Sequence, residues 1–291
     1  MKKFLEIEPE FSKYDTSKIV VVGAPYEKTT SYEKGTRNGP AAILKASQMV
    51  EDYDIETERE PCKKLGIHTL PAIKFTQNPH NDVYKTAKKI IAGKKIPILL
   101  GGEHSISYGA IRAAKESYPD LSVLQFDAHS DLRDAYHGNK HSHASIMRRV
   151  REMCPAVQVG IRSQDLEEIT YLKETGLMGS IFYAHEYDAS RIPAIVKQLS
   201  GNVYITFDVD VFDPSIMPAT GTPEPGGLLW YDCLKILKEV ISAKNIVGFD
   251  VVELSPKKGM EYCDFTAAKL VYKMISYITE PRTNTLTYAV L

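Results

Sequence analysis

Short runs of apolar residues alternate along the chain with segments in which apolar residues recur every three or four positions. The apolar runs are typical of strands buried on both faces of a sheet, and they lie at residues 19–22, 96–100, 122–126, 156–161, 203–207 and 246–252. The periodic segments predict amphipathic helices at residues 38–50, 81–92, 107–118, 165–175, 192–199 and 231–241. Asp264 is predicted to cap a long last helix.

This order of elements predicts an α/β fold. Strands that alternate with helices form parallel sheets whose two faces are both covered by helices. The chain contains no repeat, low-complexity tract or linker, so we expect residues 1–291 to form one domain, a size common for α/β folds. In such sheets ligands bind beyond the carboxyl ends of the strands, so functional residues are expected to follow the strands directly.

The charge balance argues against a nucleic-acid partner. The chain has 36 Lys and Arg residues against 37 Asp and Glu residues, a net charge of −1, whereas nucleic-acid binders usually carry a basic excess. Apolar runs such as residues 96–100 are far too short to span a membrane, and Glu6 precedes any apolar segment of the kind that a signal peptide needs. The four cysteines are widely spaced and form no CxxC pair, which favours reduced thiols. We therefore expect a cytoplasmic protein without a membrane partner.

Histidines and acidic residues gather where three of the predicted strands end. His104 follows one strand after the pair Gly101-Gly102, which permits a tight turn. Because side chains alternate along a strand, polar residues spaced by two after a strand point to one side. Two further strands end in residues spaced in this way. These are Asp127, His129, Asp131, Asp208 and Asp210.

Together these residues predict a site for two metal ions. A cluster of unpaired carboxylates repels itself and drives some pKa values up, and divalent cations remove that repulsion. Two histidines and four acids are too many ligands for one tetrahedral site, but they suit two ions that share bridging carboxylates. Mostly oxygen ligands favour manganese, with zinc, cobalt or nickel as alternatives. Taken alone, each motif could be a loop histidine or a capping acid without a metal. All three motifs follow strands of one predicted sheet, and this shared position favours metal binding.

Seven short motifs spread over nearly the whole chain identify a family by resemblance. They are GAP at 23–25, GTRNGP at 35–40, GGEHS at 101–105, FDAHSD at 126–131, DVDVFDP at 208–214, PATGTPEPGG at 218–227 and FDVVEL at 249–254. With these motifs the chain resembles the ureohydrolase family, which includes arginase and agmatinase.

This resemblance implies a three-layer α/β/α fold with a mostly parallel sheet, usually assembled as homotrimers or homohexamers. It also implies a metal-dependent amidinohydrolase that converts a guanidino compound to an amine and urea. One ion would be held by His104, Asp127, Asp131 and Asp208. The other would be held by His129, Asp127, Asp208 and Asp210, with Asp127 and Asp208 bridging the two ions.

The resemblance further implies catalytic roles for residues around the ions. Asp131 is expected to accept a proton from the attacking hydroxide and to pass it to the leaving amine. His143 falls where the family keeps the histidine that contacts the substrate and shuttles this proton, while His141 and then His137 are the competing candidates. Glu253 is expected to pair with the substrate guanidinium in a planar, bidentate contact.

Three further residues within these motifs are expected to support the site. Thr222 is expected to add a hydrogen bond to the substrate. Glu103 and Glu224 are expected to support the ligands rather than to bind the ions themselves.

The residues after Asp131 favour agmatine over arginine as the substrate. Arginase-like enzymes hold the α-carboxylate and α-amine of arginine with polar residues, typically an Asn two positions past this Asp. Arg133 stands there instead, and the segment SHASIMRR at 142–149 is similar to the agmatinase branch. We therefore expect a small cationic guanidino substrate, agmatine, which would give putrescine and urea. Relatives with near-identical motifs cleave N1-aminopropylagmatine, guanidinobutyrate or formiminoglutamate, and loops set that choice.

Two other classes of protein fit parts of this pattern. Hydrolases on the related deacetylase-like fold generally use one zinc ion and lack the full DxHxD and DxD set. A metal-binding scaffold without activity is the second alternative, although the complete ligand set argues against it. Counting bound metal ions distinguishes the first alternative, and turnover of a guanidino substrate distinguishes the second.

Overall fold

Eight strands form a single sheet in which every described strand pairing is parallel. The computed structural model describes residues 2–279. The strands are β1 Ile19–Ala24, β2 Ile67–Leu70, β3 Ile96–Gly101, β4 Ser122–Phe126, β5 Ala156–Ile161, β6 Ile181–Tyr183, β7 Asn202–Asp208 and β8 Asn245–Val252. Their order across the sheet is β2-β1-β3-β8-β7-β4-β5-β6.

Nine α-helices connect or follow these strands within residues 2–279. They are α1 Gly39–Ala46, α2 Pro61–Leu65, α3 Pro79–Ala92, α4 Ser107–Ser117, α5 Ile146–Arg151, α6 Leu166–Glu174, α7 Ile192–Gln198, α8 Trp230–Ala243 and α9 Glu261–Ile278. None of these helices combines the length and the apolar character that crossing a membrane requires.

Successive residues of a strand face two different apolar cores. Val21 of β1 lies in one core with apolar residues of α1, α8 and α9. Its neighbours Val20 and Val22 lie in the other core with residues of α3, α4 and α5. Burial of each such side chain contributes roughly 1.5–3 kcal/mol, and the alternation holds the sheet between two layers of helices. The predicted three-layer α/β/α fold with a parallel sheet is therefore confirmed.

The structure adds four short elements to those predicted and corrects one helix start. All six predicted strands are present, while β2 and β6 are additional strands at the two edges of the sheet. Helices α2 and α5 are additional too, and both are short. The prediction that Asp264 caps the last helix is wrong, because α9 begins at Glu261 and Asp264 lies within its first turn. The helix starts early because the chain turns at Gly259, which has a φ of +83°.

Candidate metal centre

Four neighbouring strands in the middle of the sheet bring the predicted ligands to one edge. Strands β3, β8, β7 and β4 lie side by side and run in parallel, so their carboxyl ends meet. His104 begins a short 3-10 turn after β3, and Asp127 directly follows β4. Asp208 is the last residue of β7, and Glu253 directly follows β8.

His104 faces three carboxylates with one ring nitrogen. Its Nδ1 lies 3.0 Å from Oδ2 of Asp127, 3.2 Å from Oδ2 of Asp131 and 3.4 Å from Oδ2 of Asp208. None of these contacts has the geometry of a hydrogen bond, so Nδ1 is a buried nitrogen without a hydrogen-bond partner in the described chain. An imidazole nitrogen placed in this way among carboxylate oxygens fits a divalent cation.

His129 and Asp210 form a second group beside the first. Nδ1 of His129 lies 2.9 Å from Oδ2 of Asp210 and 3.6 Å from Oδ1 of Asp127. Asp127 thus turns one oxygen toward each histidine, as a residue shared between two ions does. Two sets of three side chains are close enough to hold an ion each. These sets are His104 with Asp127 and Asp208, and Asp127 with His129 and Asp210.

The charges of the cluster also fit a metal site. Burial, and then the charge of Asp127, raise the pKa of Asp131 to about 7. Burial and the neighbouring acids likewise raise the pKa of Asp208 and of Asp210. Burial opposes the ionisation of Asp127 as well, but the two adjacent histidines hold its pKa below the ordinary value. A divalent cation favours the ionised form of all four acids and would remove this repulsion.

Two residues of the site adopt backbone conformations that non-glycine residues rarely take. Asp131 has a φ of +54° and Glu253 a φ of +64°, and such conformations cost about 1–3 kcal/mol each. At Asp131 the neighbouring residues hold the conformation, since Glu168 accepts hydrogen bonds of 2.7 Å from the Ser130 hydroxyl and from the Leu132 N–H. The fold therefore fixes the direction of the Asp131 side chain at the expense of local strain.

A series of buried side-chain amides holds the carboxylate of Asp127 in place. Nε2 of Gln125 donates to Oδ2 of Asp127 at 2.6 Å, and Nε2 of Gln158 donates to Oε1 of Gln125. Arg151 donates in turn to Oε1 of Gln158, through Nε at 3.1 Å and Nη2 at 2.9 Å. Burial lowers the pKa of Arg151 to about 10, which leaves it charged at neutral pH. These contacts orient the two carboxylate oxygens of Asp127.

A cavity of about 220 Å³ opens onto the acidic cluster. All six predicted metal ligands line it, and so do His143, Thr222 and Glu253. Oε1 of Glu253 accepts the backbone N–H of His104 at 2.6 Å, which leaves Oε2 for a ligand. Burial, and then the charge of Glu103, raise the pKa of Glu253 well above its usual range. A cation bound here would stabilise the ionised carboxylate.

The three candidate histidines before α5 lie in different surroundings. His143 lines the cavity, and burial lowers its pKa to about 4. His141 packs elsewhere, with its ring centroid 5.4 Å from that of His80 and 5.1 Å from that of Tyr108. His137 is likewise not among the residues that line the cavity. The structure thus brings His143, and neither alternative, to the cluster.

The residues that orient the ligands are mostly not among those predicted from sequence. Gln125 and Thr206 are fully buried and stand two positions before Asp127 and Asp208 on the same strands. Alternation along a strand puts such residues on the face of the ligand, so the sequence carries a signal for both. Glu168 carries no such signal, because it lies in α6.

Glu224, which is expected to support a ligand, lies near His129. Its Oε1 is 3.7 Å from Nε2 of that histidine, on the side of the ring opposite to the acids.

Comparisons with known proteins agree with this geometry. Residues 17–276 match the model of the arginase family. The N1-aminopropylagmatine ureohydrolase of Synechocystis sp. is 37% identical over 289 residues, which cover 95% of this chain and 94% of that protein. The agmatinase of Pyrococcus horikoshii is 35% identical over 88% of this chain and 90% of that protein. The crystal structure of the agmatine ureohydrolase of Thermoplasma volcanium has a TM-score of 0.84 at 30% identity, and the match covers 96% of this chain and 94% of that one.

These matches confirm the resemblance inferred from the motifs. The chain belongs to the arginase family and is a metal-dependent ureohydrolase of the agmatinase-like kind.

Proposed function

We propose that this protein hydrolyses agmatine to putrescine and urea. The observation that carries the proposal is a cavity that ends on ligands for two metal ions and has the carboxylate of Glu253 beside them. A guanidinium is a weak electrophile because resonance spreads its charge. Its hydrolysis therefore needs an activated water and a fixed orientation of the carbon, and this site is built to supply both.

The two ions are proposed to be manganese, because the donors are four carboxylates and two imidazoles. Zinc, cobalt and nickel are alternatives for the same donors. One ion is proposed to be held by His104, Asp127, Asp131 and Asp208, and the other by His129, Asp127, Asp208 and Asp210. When bound, such ions make hydroxide available near neutral pH by lowering the pKa of water to about 7.

Glu253 is proposed to bind and orient the guanidinium. Its Oε1 is engaged by the backbone N–H of His104, so its position relative to the cluster is fixed. Its Oε2 is then the acceptor for an N–H group of the substrate, a single charge-assisted hydrogen bond in place of the bidentate contact expected from the sequence. Thr222, which lines the same cavity, is proposed to add a hydrogen bond to the substrate.

Asp131 and His143 are proposed to move the protons of the reaction. Oδ2 of Asp131 faces His104, so Oδ1 is the atom that takes the proton from the attacking water. With the ions bound the carboxylate is ionised, as a group that accepts a proton must be. His143, kept neutral by burial, relays a proton at the cavity and lets the amine product leave.

The cavity wall beyond the cluster favours a substrate without a carboxylate. Asp165 and Glu168 line it and add negative charge. Arg133 lines it too, but its Nη2 is paired with Oδ2 of Asp165 at 3.1 Å. The guanidinium of Arg133 therefore already has its counter-ion, and the α-carboxylate of arginine would compete with Asp165 for it.

N1-Aminopropylagmatine is the second candidate substrate. It is favoured by the relative at 37% identity that carries this name. The outer cavity wall includes Tyr32, whose side chain is 74% exposed, so a longer amine tail has room to extend into solvent. Guanidinobutyrate and arginine bring a carboxylate into an acidic cavity and are expected to be poorer substrates.

We further propose that the enzyme works in the cytoplasm as a single-domain homotrimer or homohexamer. All four cysteines are free and buried, as is usual for proteins of reducing compartments. Size-exclusion chromatography with light scattering measures the assembly.

The proposed function is tested by urea release from agmatine, N1-aminopropylagmatine, guanidinobutyrate and arginine, with formamide release from formiminoglutamate measured in parallel. The protein is loaded with manganese, and a chelated sample is the control. Turnover of agmatine, lost on chelation, is the expected result, and faster turnover of N1-aminopropylagmatine would favour the second candidate. An enzyme that holds one zinc ion and releases no urea would contradict the proposal.

Glu253→Gln is the matched variant for this experiment. Glutamine keeps the shape and can still accept the His104 N–H, but it lacks the charge that binds a guanidinium. We expect kcat/KM for agmatine to fall by roughly 100-fold, because a charge-assisted hydrogen bond is lost, while the metal content stays unchanged. A variant that retains the full kcat/KM would show that the guanidinium binds elsewhere.

A further inference from the structure

A hydroxyl group holds both the ring and the backbone of His143. Oγ1 of Thr29, on the loop after β1, lies 3.1 Å from Nδ1 of the ring. The same oxygen accepts a hydrogen bond of 3.1 Å from the backbone N–H of His143. The face of the ring is further limited by Tyr136, whose ring centroid is 5.4 Å away in an edge-on contact. The ring is therefore fixed in direction.

Glu103 determines where the hydroxyl proton of Thr29 points. Oε1 of Glu103 lies 2.7 Å from Oγ1 of Thr29 and 2.6 Å from the hydroxyl of Ser105. Its Oε2 accepts the backbone N–H groups of Lys28 at 2.5 Å and of Thr29 at 2.7 Å. The carboxylate is fully buried and acts as the acceptor in each of these contacts. Thr29 therefore donates its proton to Glu103.

The protons available to Thr29 then fix the tautomer of His143. A hydroxyl has one proton and two lone pairs. With its proton on Glu103, Thr29 can only accept from His143, once from the backbone N–H and once from the ring. Nδ1 must therefore carry the ring proton. Nε2 is left with a lone pair in the neutral ring, and no described residue forms a hydrogen bond with it.

We propose that Thr29 and Glu103 are positioning residues that hold His143 with its proton on Nδ1, so that Nε2 is free to exchange protons at the cavity. This inference rests on the proposed function, in which His143 relays a proton. Protonation of Nε2 leaves the bond from Nδ1–H to Thr29 in place, so the ring does not need to turn during the reaction. Burial lowers the pKa of His143, and the nearby charge of Glu103 acts in the opposite direction, in favour of the protonated ring.

Thr29→Val tests the proposal, because valine keeps the shape of threonine and removes the hydroxyl. We expect kcat to fall about tenfold, the effect of losing roughly one oriented hydrogen bond. KM and metal content should stay near those of the unmodified enzyme, and Thr29→Ser should restore kcat. In a His143→Ala background the same change to Val should lower kcat less than about twofold, since the residue through which Thr29 acts is gone.

Ser105→Ala is the matched control. Ser105 donates to the same oxygen of Glu103 as Thr29 does, but it has no described contact with His143. Its effect on kcat is expected to be smaller and to be the same with and without His143. If Thr29→Val lowers kcat equally in both backgrounds, or if Thr29→Ser fails to restore it, Thr29 has a structural role and the proposal is wrong.

A spectroscopic measurement separates this proposal from the proposed function. Long-range nitrogen–proton correlation spectra of the full-length protein, labelled at histidine and loaded with diamagnetic zinc, show which ring nitrogen carries the proton. The signals of His143 are identified by their loss in His143→Ala. A proton on Nδ1 that shifts to a mixture of tautomers in Thr29→Val supports the proposal even if no tested substrate is hydrolysed. A proton on Nε2 in the unmodified protein overturns it, whatever the activity.

Discussion

Nε2 of His104 lies 2.8 Å from Oγ1 of Thr206, and this contact decides which nitrogen of the histidine faces the acids. Thr206 donates its own proton to Oδ1 of Asp250 at 2.7 Å, so it accepts from Nε2. The hydroxyl of Tyr204 donates to the other oxygen of Asp250 at 2.9 Å. In the neutral ring Nδ1 of His104 is consequently left without a proton, and its lone pair points toward Asp127.

Replacing Thr206 by Val is expected to weaken metal binding at His104. Valine keeps the shape but cannot accept from Nε2, so the ring is no longer held in one tautomer. Substitutions of such supporting residues typically cost about 10- to 100-fold in metal affinity or activity. Calorimetric titration of metal-stripped protein with manganese measures the change. Thr206→Ser is the control, and an equally weak Ser variant would show that packing, rather than the hydrogen bond, matters.

Removal of the metal is expected to lower the melting temperature, and by more at neutral than at acid pH. In the metal-free protein the pKa of Asp131 is about 7 against an ordinary value of 3.8, and those of Asp208 and Asp210 are raised as well. Between about pH 4 and 7 these three acids thus bind more protons in the folded state than in the unfolded state, so their contribution to stability falls as the pH rises through this window. Bound ions need the ionised acids, so their stabilising effect grows over the same window.

Differential scanning calorimetry of manganese-loaded and chelated protein between pH 5 and 7.5 measures this effect. The gap between the two melting temperatures should widen as the pH rises. A difference in melting temperature that stays constant or narrows would mean that other groups of the protein already offset the charges of the buried acids.

His143→Ala and His141→Ala are expected to differ sharply in their effect on kcat. General acid–base catalysis contributes roughly 100- to 10,000-fold, so loss of His143 should lower kcat within that range while the metals stay bound. His141 packs against His80 and Tyr108 rather than at the cavity, so its removal should leave kcat within a few-fold of the unmodified enzyme. Steady-state kinetics with metal analysis measures both. The reverse order of effects would give the proton-relay role to His141.

Glu168→Ala is expected to destabilise the fold and to loosen Asp131. Glu168 accepts three hydrogen bonds of 2.7 Å, from Ser130, Leu132 and the backbone N–H of Asp165. The bonds from Ser130 and Leu132 are buried, and leaving a buried donor without an acceptor costs about 1–3 kcal/mol. We therefore expect the free energy of unfolding to fall by about 2–6 kcal/mol. Urea denaturation measures this loss. Glu168→Gln keeps an acceptor and should lose less free energy of unfolding. Equal losses in the two variants would show that packing, rather than the hydrogen bonds, accounts for the effect.

The central part of the fold could be predicted from sequence because burial there is complete. Strands such as Ile19–Ala24 are buried along their whole length and read as unbroken apolar runs. The edge strand Ile67–Leu70 alternates between buried and half-buried residues and includes His68, and Ile181–Tyr183 has three residues. Segments this short bury too little apolar area to stand out from loops.

The same contrast holds for the site. The cluster of six predicted metal ligands could be placed from sequence because each of these residues follows, or ends, a strand whose position is clear. Thr29 could not, because its contact joins the loop after β1 to His143, which is 114 positions away and begins a short 3-10 helix. Loop geometry depends on contacts that periodicity does not report, so residues that act from loops become visible only in three dimensions.

The position of β8 has a consequence for folding during synthesis on the ribosome. Among residues 2–279 it is the last strand along the chain, yet it lies between β3 and β7 in the middle of the sheet. His104 follows β3, whereas the other five ligands follow or end β4 and β7. A nascent chain that stops before residue 245 therefore contains all six predicted ligands but lacks the strand that joins β3, which carries His104, to β7 and β4. The complete candidate site, with His104 beside the acids, is therefore expected to form only after β8 has been translated and has joined β3 to β7.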